Sequence, residues 1–136
     1  MNKAIGIDFG LKRTGISISD DLGIIATPLT TISSSELMKF LKGLVVSERA
    51  ETIVLGYPLG LNGADTDITP NVRLLKLALE KEFPQLKIAL FDERMTSKIA
   101  QKTLTQGASK KKRQQKGLID QMSATIILQD YLNSIS

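Results

Sequence analysis

The amino-acid sequence predicts an α/β domain, a mixed sheet with helices on both faces. Three observations carry that expectation. Up to Ile32, apolar side chains alternate with small or polar ones between short turns, the mark of an antiparallel meander. Beyond residue 33, helical stripes alternate with short apolar runs, the pattern of crossover units. One of those runs, Thr52 to Gly56, is apolar almost throughout, as a strand covered on both faces should be.

Taken in order, residues 3 to 9 read as a strand, with Ile5, Ile7 and Phe9 on one face and Ala4, Gly6 and Asp8 on the other. Gly10 to Arg13 turns the chain. Thr14 to Ser19 alternates again, with Ile16 and Ile18 opposite Ser17 and Ser19. Asp20-Asp21-Leu22-Gly23 is the next turn, and a third strand is expected around Ile24 to Ile32. Ser33-x-x-Glu36 has the form of a capping box ahead of a stripe of Leu37, Phe40, Leu41, Leu44 and Val45. After the Thr52–Gly56 strand, Thr69-Pro70 opens a second helix with Pro at its first position. Its stripe is Val72, Leu75, Leu79 and Phe83, and Pro84 stops it. Lys87 to Phe91 is a fifth strand, leading into Asp92-Glu93-Arg94. Thr96 is placed to cap a helix ending near Gly107, and a last helix is expected from about Lys116 to Leu132. The order is βββ-α-β-α-β-α-α.

A chain of 136 residues without repeats or a Pro/Ser-rich linker is expected to form one domain, 1–136. With 42% hydrophobic and 24% charged residues it can bury a core without metal or disulfide staples. Cysteine and histidine are both absent. That excludes disulfides, thiol nucleophiles, zinc held by Cys or His, and the Ser-His-Asp triad. Chemistry must come from carboxylates, hydroxyls, amines or a metal held by oxygen. The net charge of +4 allows an anionic partner without requiring one. The first apolar run contains Asp8, unlike a signal peptide, and no stretch approaches the roughly 18 apolar residues of a membrane span. The cytoplasm is the expected compartment.

Three acidic positions are candidates for a site. Asp8 ends the first strand, where open α/β sheets bind ligands, although it could simply initiate a turn. Asp120 shares a helix face with Ser123, Ala124, Ile127, Leu128 and Tyr131 and so heads an inward stripe; the competing reading is a first-turn acid that complements the helix dipole. The small residues near both acids would let strand and helix approach. Asp92 and Glu93 end the fifth strand and point to opposite faces, so at most one of them joins Asp8, and spacing does not choose which; the competing reading is a solvated strand end. Converging carboxylates repel unless a cation joins them, and all-oxygen donors favour Mg²⁺ or Mn²⁺. Five cations fall between residues 110 and 116: Lys110, Lys111, Lys112, Arg113 and Lys116. They read either as a solvated loop or, with Arg13 and Arg94, as a phosphate-binding surface, with Arg94 equally placed to pair with Asp92. None of the six aromatics lies in that run, which favours backbone recognition over base stacking. Residues 57–69 form a long strand-to-helix connection, read equally as a functional loop or as a floppy insertion.

Ile7-Asp8-Phe9-Gly10-x-x-Arg13-Thr14-Gly15, Gly56-Tyr57-Pro58, Asp92-Glu93-Arg94-x-Thr96-Ser97 and Asp120-x-x-Ser123-Ala124-x-Ile126-Ile127-Leu128-Gln129-x-Tyr131-Leu132 together resemble the YqgF (RuvX) family, in the family's order and over nearly the whole chain. The resemblance implies an RNase H-like fold with strand order 3-2-1-4-5. It implies a metal-dependent nuclease that trims the 5′ end of precursor 16S rRNA, with Asp8, Glu93 and Asp120 as its acidic, metal-holding residues and Glu93 preferred to Asp92. RNase H-like enzymes usually carry an acid at the end of the fourth strand; here that strand ends in Gly56-Tyr57-Pro58. In the implied order Glu93 lies two strands from Asp8, almost 10 Å at about 4.7–4.9 Å per strand. Its longer side chain or a bridging water must close that gap, which favours one firmly bound ion, with a second recruited by substrate. The alternatives are a junction resolvase acting on branched DNA, an actin-like ATPase, for which a second phosphate loop is missing, and a non-catalytic RNA- or ribosome-binding module.

Overall fold

The computed structural model describes residues 3–95 and 116–136, with the side chains of 95 and 116 excluded. Five strands form one sheet: β1 (Ala4–Phe9), β2 (Arg13–Ser19), β3 (Ala26–Ser33), β4 (Thr52–Tyr57) and β5 (Lys87–Asp92). Among the described residues, three α-helices accompany them: α1 (Leu37–Glu48), α2 (Thr69–Glu82) and α3 (Lys116–Ile135). The strand order is β3-β2-β1-β4-β5, as expected. β1 pairs antiparallel with β2 and parallel with β4; β2–β3 is antiparallel and β4–β5 parallel. The helix expected from Thr96 to Gly107 lies outside the described residues.

The alternation in sequence decides what each face buries. Ile5, Ile7, Ile16, Ile53 and Leu55 are fully buried beneath Leu37, Leu41 and Val45 of α1 and Val72 and Leu79 of α2. Each such side chain contributes about 1.5–3 kcal/mol by leaving water. The opposite face carries smaller groups. Ala4 and Val54 pack against Ile127, Leu128, Tyr131 and Leu132 of α3. Ser17 lies on this face too, and its Oγ donates to the Ala124 carbonyl at 2.8 Å. β4 is thus covered on both sides, which is why its sequence is apolar rather than alternating.

Some boundaries differ from the sequence expectation. β3 begins at Ala26, because the Ile24 and Ile25 amides donate to Asp20 Oδ1 at 2.7 and 3.1 Å and hold both residues in the turn. Those amides also hold the Asp20 carboxyl below the usual carboxylate range. The capping box does not form. Ser33 makes no side-chain cap, its hydroxyl meeting that of Ser35 instead, and residues 34–36 form a 3₁₀ turn ahead of α1. The first residue of α2 is Thr69, with Pro70 behind it, and α3 continues past Leu132 to Ile135. No helix among the described residues is long and apolar enough to cross a membrane.

Candidate active site

Asp8 stands near the C-terminal end of β1, directly opposite Gly15 on β2. The β1–β4 register pairs Ile7 with Leu55, and one step further brings Gly56 alongside Asp8. Laterally paired residues share a face, so Gly15, Asp8 and Gly56 form a row across three strands beneath α3. The acid is flanked by two residues without side chains.

Each glycine admits another acidic residue. A Cβ at Gly15 would overlap the carbonyl oxygen of Asp120, so the first turns of α3 rest directly on the β2 backbone opposite Asp8. At Gly56, a Cβ would lie 2.9 Å from Glu93 Oε2 and 2.6 Å from Ile127 Cδ1. Glu93 opens a 3₁₀ turn after β5, yet its carboxylate reaches back over β4, the strand next to Asp8. The gap of two strands expected from the sequence is thus shortened by the side chain itself. The missing acid at the end of the fourth strand and this reach are linked, because a side chain at residue 56 would occupy the same space.

Asp92 and Glu93 diverge. Asp92 pairs in register with Tyr57, placing it on the other face from Gly56. It is clamped by Arg94: Nε lies 3.1 and 3.0 Å from its two oxygens, Nη2 is 2.6 Å from Oδ2, and the Arg94 amide donates to Oδ1 at 2.9 Å. The guanidinium holds the Asp92 carboxyl below its ordinary range, and the carboxylate holds Arg94 above its own. Of the two roles the sequence left open for Arg94, phosphate ligand or partner of Asp92, it fills the second in this structure.

Arg13, at the start of β2, directs its Nε to Asp120 Oδ2 at 2.9 Å. The Gly10–Lys12 turn that delivers it is tied to the 3₁₀ turn after β3. The Ser34 amide donates to the Lys12 carbonyl at 2.9 Å, and Ser34 Oγ donates to the Gly10 carbonyl at 2.5 Å. Buried Thr14 must then donate its hydroxyl to Ser34 Oγ, 2.7 Å away. The connection after β4 is also ordered. Thr66 and Thr69 hydroxyls donate to the Pro58 carbonyl, and Arg73 joins Asp65 to the Tyr57 hydroxyl. Asp65 is held below its usual range by Arg73, which is itself raised.

Sequence reasoning singled out the acids, quoted Thr14, Gly15 and Gly56 only as parts of the family's motifs without a role, and passed over Ser34. Besides those motifs, the available signal was the small-residue series Gly15, Ser17, Ser19 on alternate positions of β2. Lys110, Lys111, Lys112, Arg113 and the Lys116 side chain lie outside the described residues. The donors at the site are oxygens, a chemistry that fits a hard divalent cation. Among the described residues, however, no group of three or more acidic side chains gathers closely enough to hold a metal ion.

Comparisons with known proteins agree with this architecture. Residues 2–134 match the family described as "RuvX: Holliday junction resolvase". Proteins of Bacteroides thetaiotaomicron and Flavobacterium johnsoniae, each named "Putative pre-16S rRNA nuclease", are both 44% identical to this chain, with 98% of each chain covered. Among solved structures, T. thermophilus RuvC in complex with a Holliday junction substrate matches with a TM-score of 0.58 at 9% identity, covering 100% of this chain and 98% of that one. The fowlpox virus Holliday junction resolvase matches with a TM-score of 0.54 at 11% identity, covering 97% and 99%. At those identities the likeness is one of fold, the RNase H-like fold of resolvases. With almost its entire length matched, both to the family and to relatives at this identity, the chain belongs to the RuvX family.

Proposed function

We propose that this protein is a metal-dependent endonuclease that hydrolyses phosphodiester bonds in RNA, with the 5′ region of precursor 16S rRNA as substrate. The observation that carries this reading is the Gly15–Asp8–Gly56 row, which gives acids from two distant segments access to the strand end where Asp8 stands. The names of the 44% identical relatives supply the substrate class.

Asp8, Glu93 and Asp120 would hold Mg²⁺ or Mn²⁺. Bound there, such an ion lowers the pKa of water and neutralises charge on the phosphate oxygens. The chain's own contribution is positional. Asp8 is fixed by the β1–β2 ladder, Glu93 by the turn after β5, and Asp120 by the contact of α3 with β2. Arg13 stands at the mouth to meet the backbone. The cation run at 110–116 would hold the flanking strand, making affinity fall steeply with salt.

The test is cleavage of a 5′-extended 16S precursor with Mg²⁺ or Mn²⁺, by the native chain and by the Asp8→Asn, Glu93→Gln, Asp120→Asn triple variant. Cleavage by the first and not the second is expected; equal cleavage defeats the assignment. A second reading, action on four-way DNA, is favoured by the likeness to RuvC. Cleavage of a synthetic junction in preference to the precursor would establish it. Binding of RNA without cleavage, unaffected by loss of the acids, would make the protein a binding module.

A further inference from the structure

Two observations at the site stand in tension. The oxygen donors suit a hard cation, yet no three acidic side chains among the described residues gather closely enough to hold one, and Asp120 is paired with a guanidinium. That partner is Arg13. Its Nε donates to Asp120 Oδ2 at 2.9 Å, with the Asp120 side chain 23% exposed and that of Arg13 44% exposed. The pair spans β2 and α3 where Asp120 rests on Gly15.

The guanidinium does not reach Asp120 by the wandering of a long side chain from a loose loop. Ser34 binds the turn ahead of it through both the Lys12 and Gly10 carbonyls, and Thr14 behind it is fully buried. An arginine fork matches the paired oxygens of a phosphodiester better than the single carboxylate oxygen it meets here. A divalent ion next to a guanidinium is repelled by it, whereas one next to a phosphate is attracted.

We propose that Arg13 is a substrate-operated latch on Asp120. In the free protein it neutralises Asp120 and keeps that carboxylate from a cation. When a backbone phosphate enters, Arg13 transfers to it, and Asp120 becomes available as a ligand. Arg13 is thus a positioning residue, and metal and nucleic acid bind with positive coupling through it. Linkage makes the coupling reciprocal: the cation tightens nucleic-acid binding by the same factor. This inference rests on the nuclease reading of the site.

The experiment is calorimetric titration of Mn²⁺ into the full chain, alone and with a saturating 2′-O-methyl RNA oligonucleotide. Arg13→Gln should bind Mn²⁺ alone roughly five- to tenfold more tightly than the native chain. The oligonucleotide should tighten Mn²⁺ binding by a similar factor in the native chain and have little effect in Arg13→Gln. A methylphosphonate oligonucleotide, which lacks backbone charge, should have no effect on either. Arg13→Lys, which keeps the charge but not the fork, should bind Mn²⁺ alone like the native chain and respond less to the oligonucleotide. Unchanged circular dichroism spectra establish that the variants fold. Equal Mn²⁺ affinity in native and Arg13→Gln chains, with binding lost in Asp8→Asn, overturns the latch and leaves the nuclease reading standing. Absence of Mn²⁺ binding from every chain, with and without oligonucleotide, removes both.

Discussion

The two faces of the sheet are built on opposite principles. Beneath α1 and α2, five large aliphatic side chains fill the interface and keep helix and sheet apart by their bulk. Beneath α3, β1 and β2 offer alanine, serine and glycine, so that helix backbone meets strand backbone, and buried polar groups are satisfied by hydrogen bonds such as Ser17 to Ala124. The first arrangement stabilises the fold through apolar area. The second gives up area to bring Asp120 and Glu93 towards the strand end where Asp8 stands. The difference teaches that the proposed acidic site depends on side chains being absent at two positions as much as on carboxylates being present at three.

Substitutions on each face can break that contrast. The largest effect is expected at Gly15, where even a methyl group overlaps the Asp120 carbonyl. Gly15→Val should displace α3, cost about 4 kcal/mol or more in thermal or denaturant unfolding, and abolish cleavage. Native melting and activity in this variant would show that α3 does not depend on the close approach. On the other face, Leu55→Ala should cost about 3 kcal/mol by leaving a cavity, yet below its lowered melting temperature cleavage per folded molecule should stay near native. An activity loss larger than the unfolded fraction would contradict the division of labour between the faces.

Gly56→Ala sharpens the comparison, because its added methyl meets the flexible ends of Glu93 and Ile127 rather than backbone. Stability should change by less than about 1 kcal/mol, while cleavage should fall about ten- to a hundredfold as the Glu93 carboxylate is moved. Parallel losses of stability and activity would argue against that role. The smallest effect is expected at Asp92. Its folded-state pKa is depressed by Arg94, so the pair's contribution is present above the unfolded carboxyl's value of about 3.9 and is lost as pH falls through the lower folded value. In acid unfolding, Asp92→Asn should lower stability at neutral pH and flatten the slope below about pH 4. An unchanged acid slope would mean that the clamp carries no net stabilisation.

The legible and illegible parts of the molecule divide along the same physical lines. Strand alternation and the stripes Leu37–Val45 and Val72–Phe83 were readable because burial follows local periodicity, and those residues are the ones that pack. The capping box at Ser33 misled because a local motif competes with tertiary hydrogen bonds: Ser34 is drawn to Gly10 and Lys12, and the resulting 3₁₀ turn delays α1 to Leu37. Ile24 and Ile25 read as strand by their side chains, but the Asp20 carboxylate captures their amides.

The site shows the same limit. Asp8 and Asp120 were visible as acids on inward faces, since a face is a property of spacing along one element. The roles of Gly15 and Gly56 were not, since an absent side chain carries no signal until its neighbours across the sheet are known. Arg13 stood out as a basic residue near an acid in sequence, yet its partner proved to be Asp120, more than a hundred positions away. By itself the sequence determined the elements, the faces they bury and the all-oxygen chemistry of the site, because these follow from residue type and periodicity. Only the tertiary structure decided which segments close over the strand end where Asp8 stands and which cation holds Asp120, because those depend on register and on the distance of closest approach between backbones.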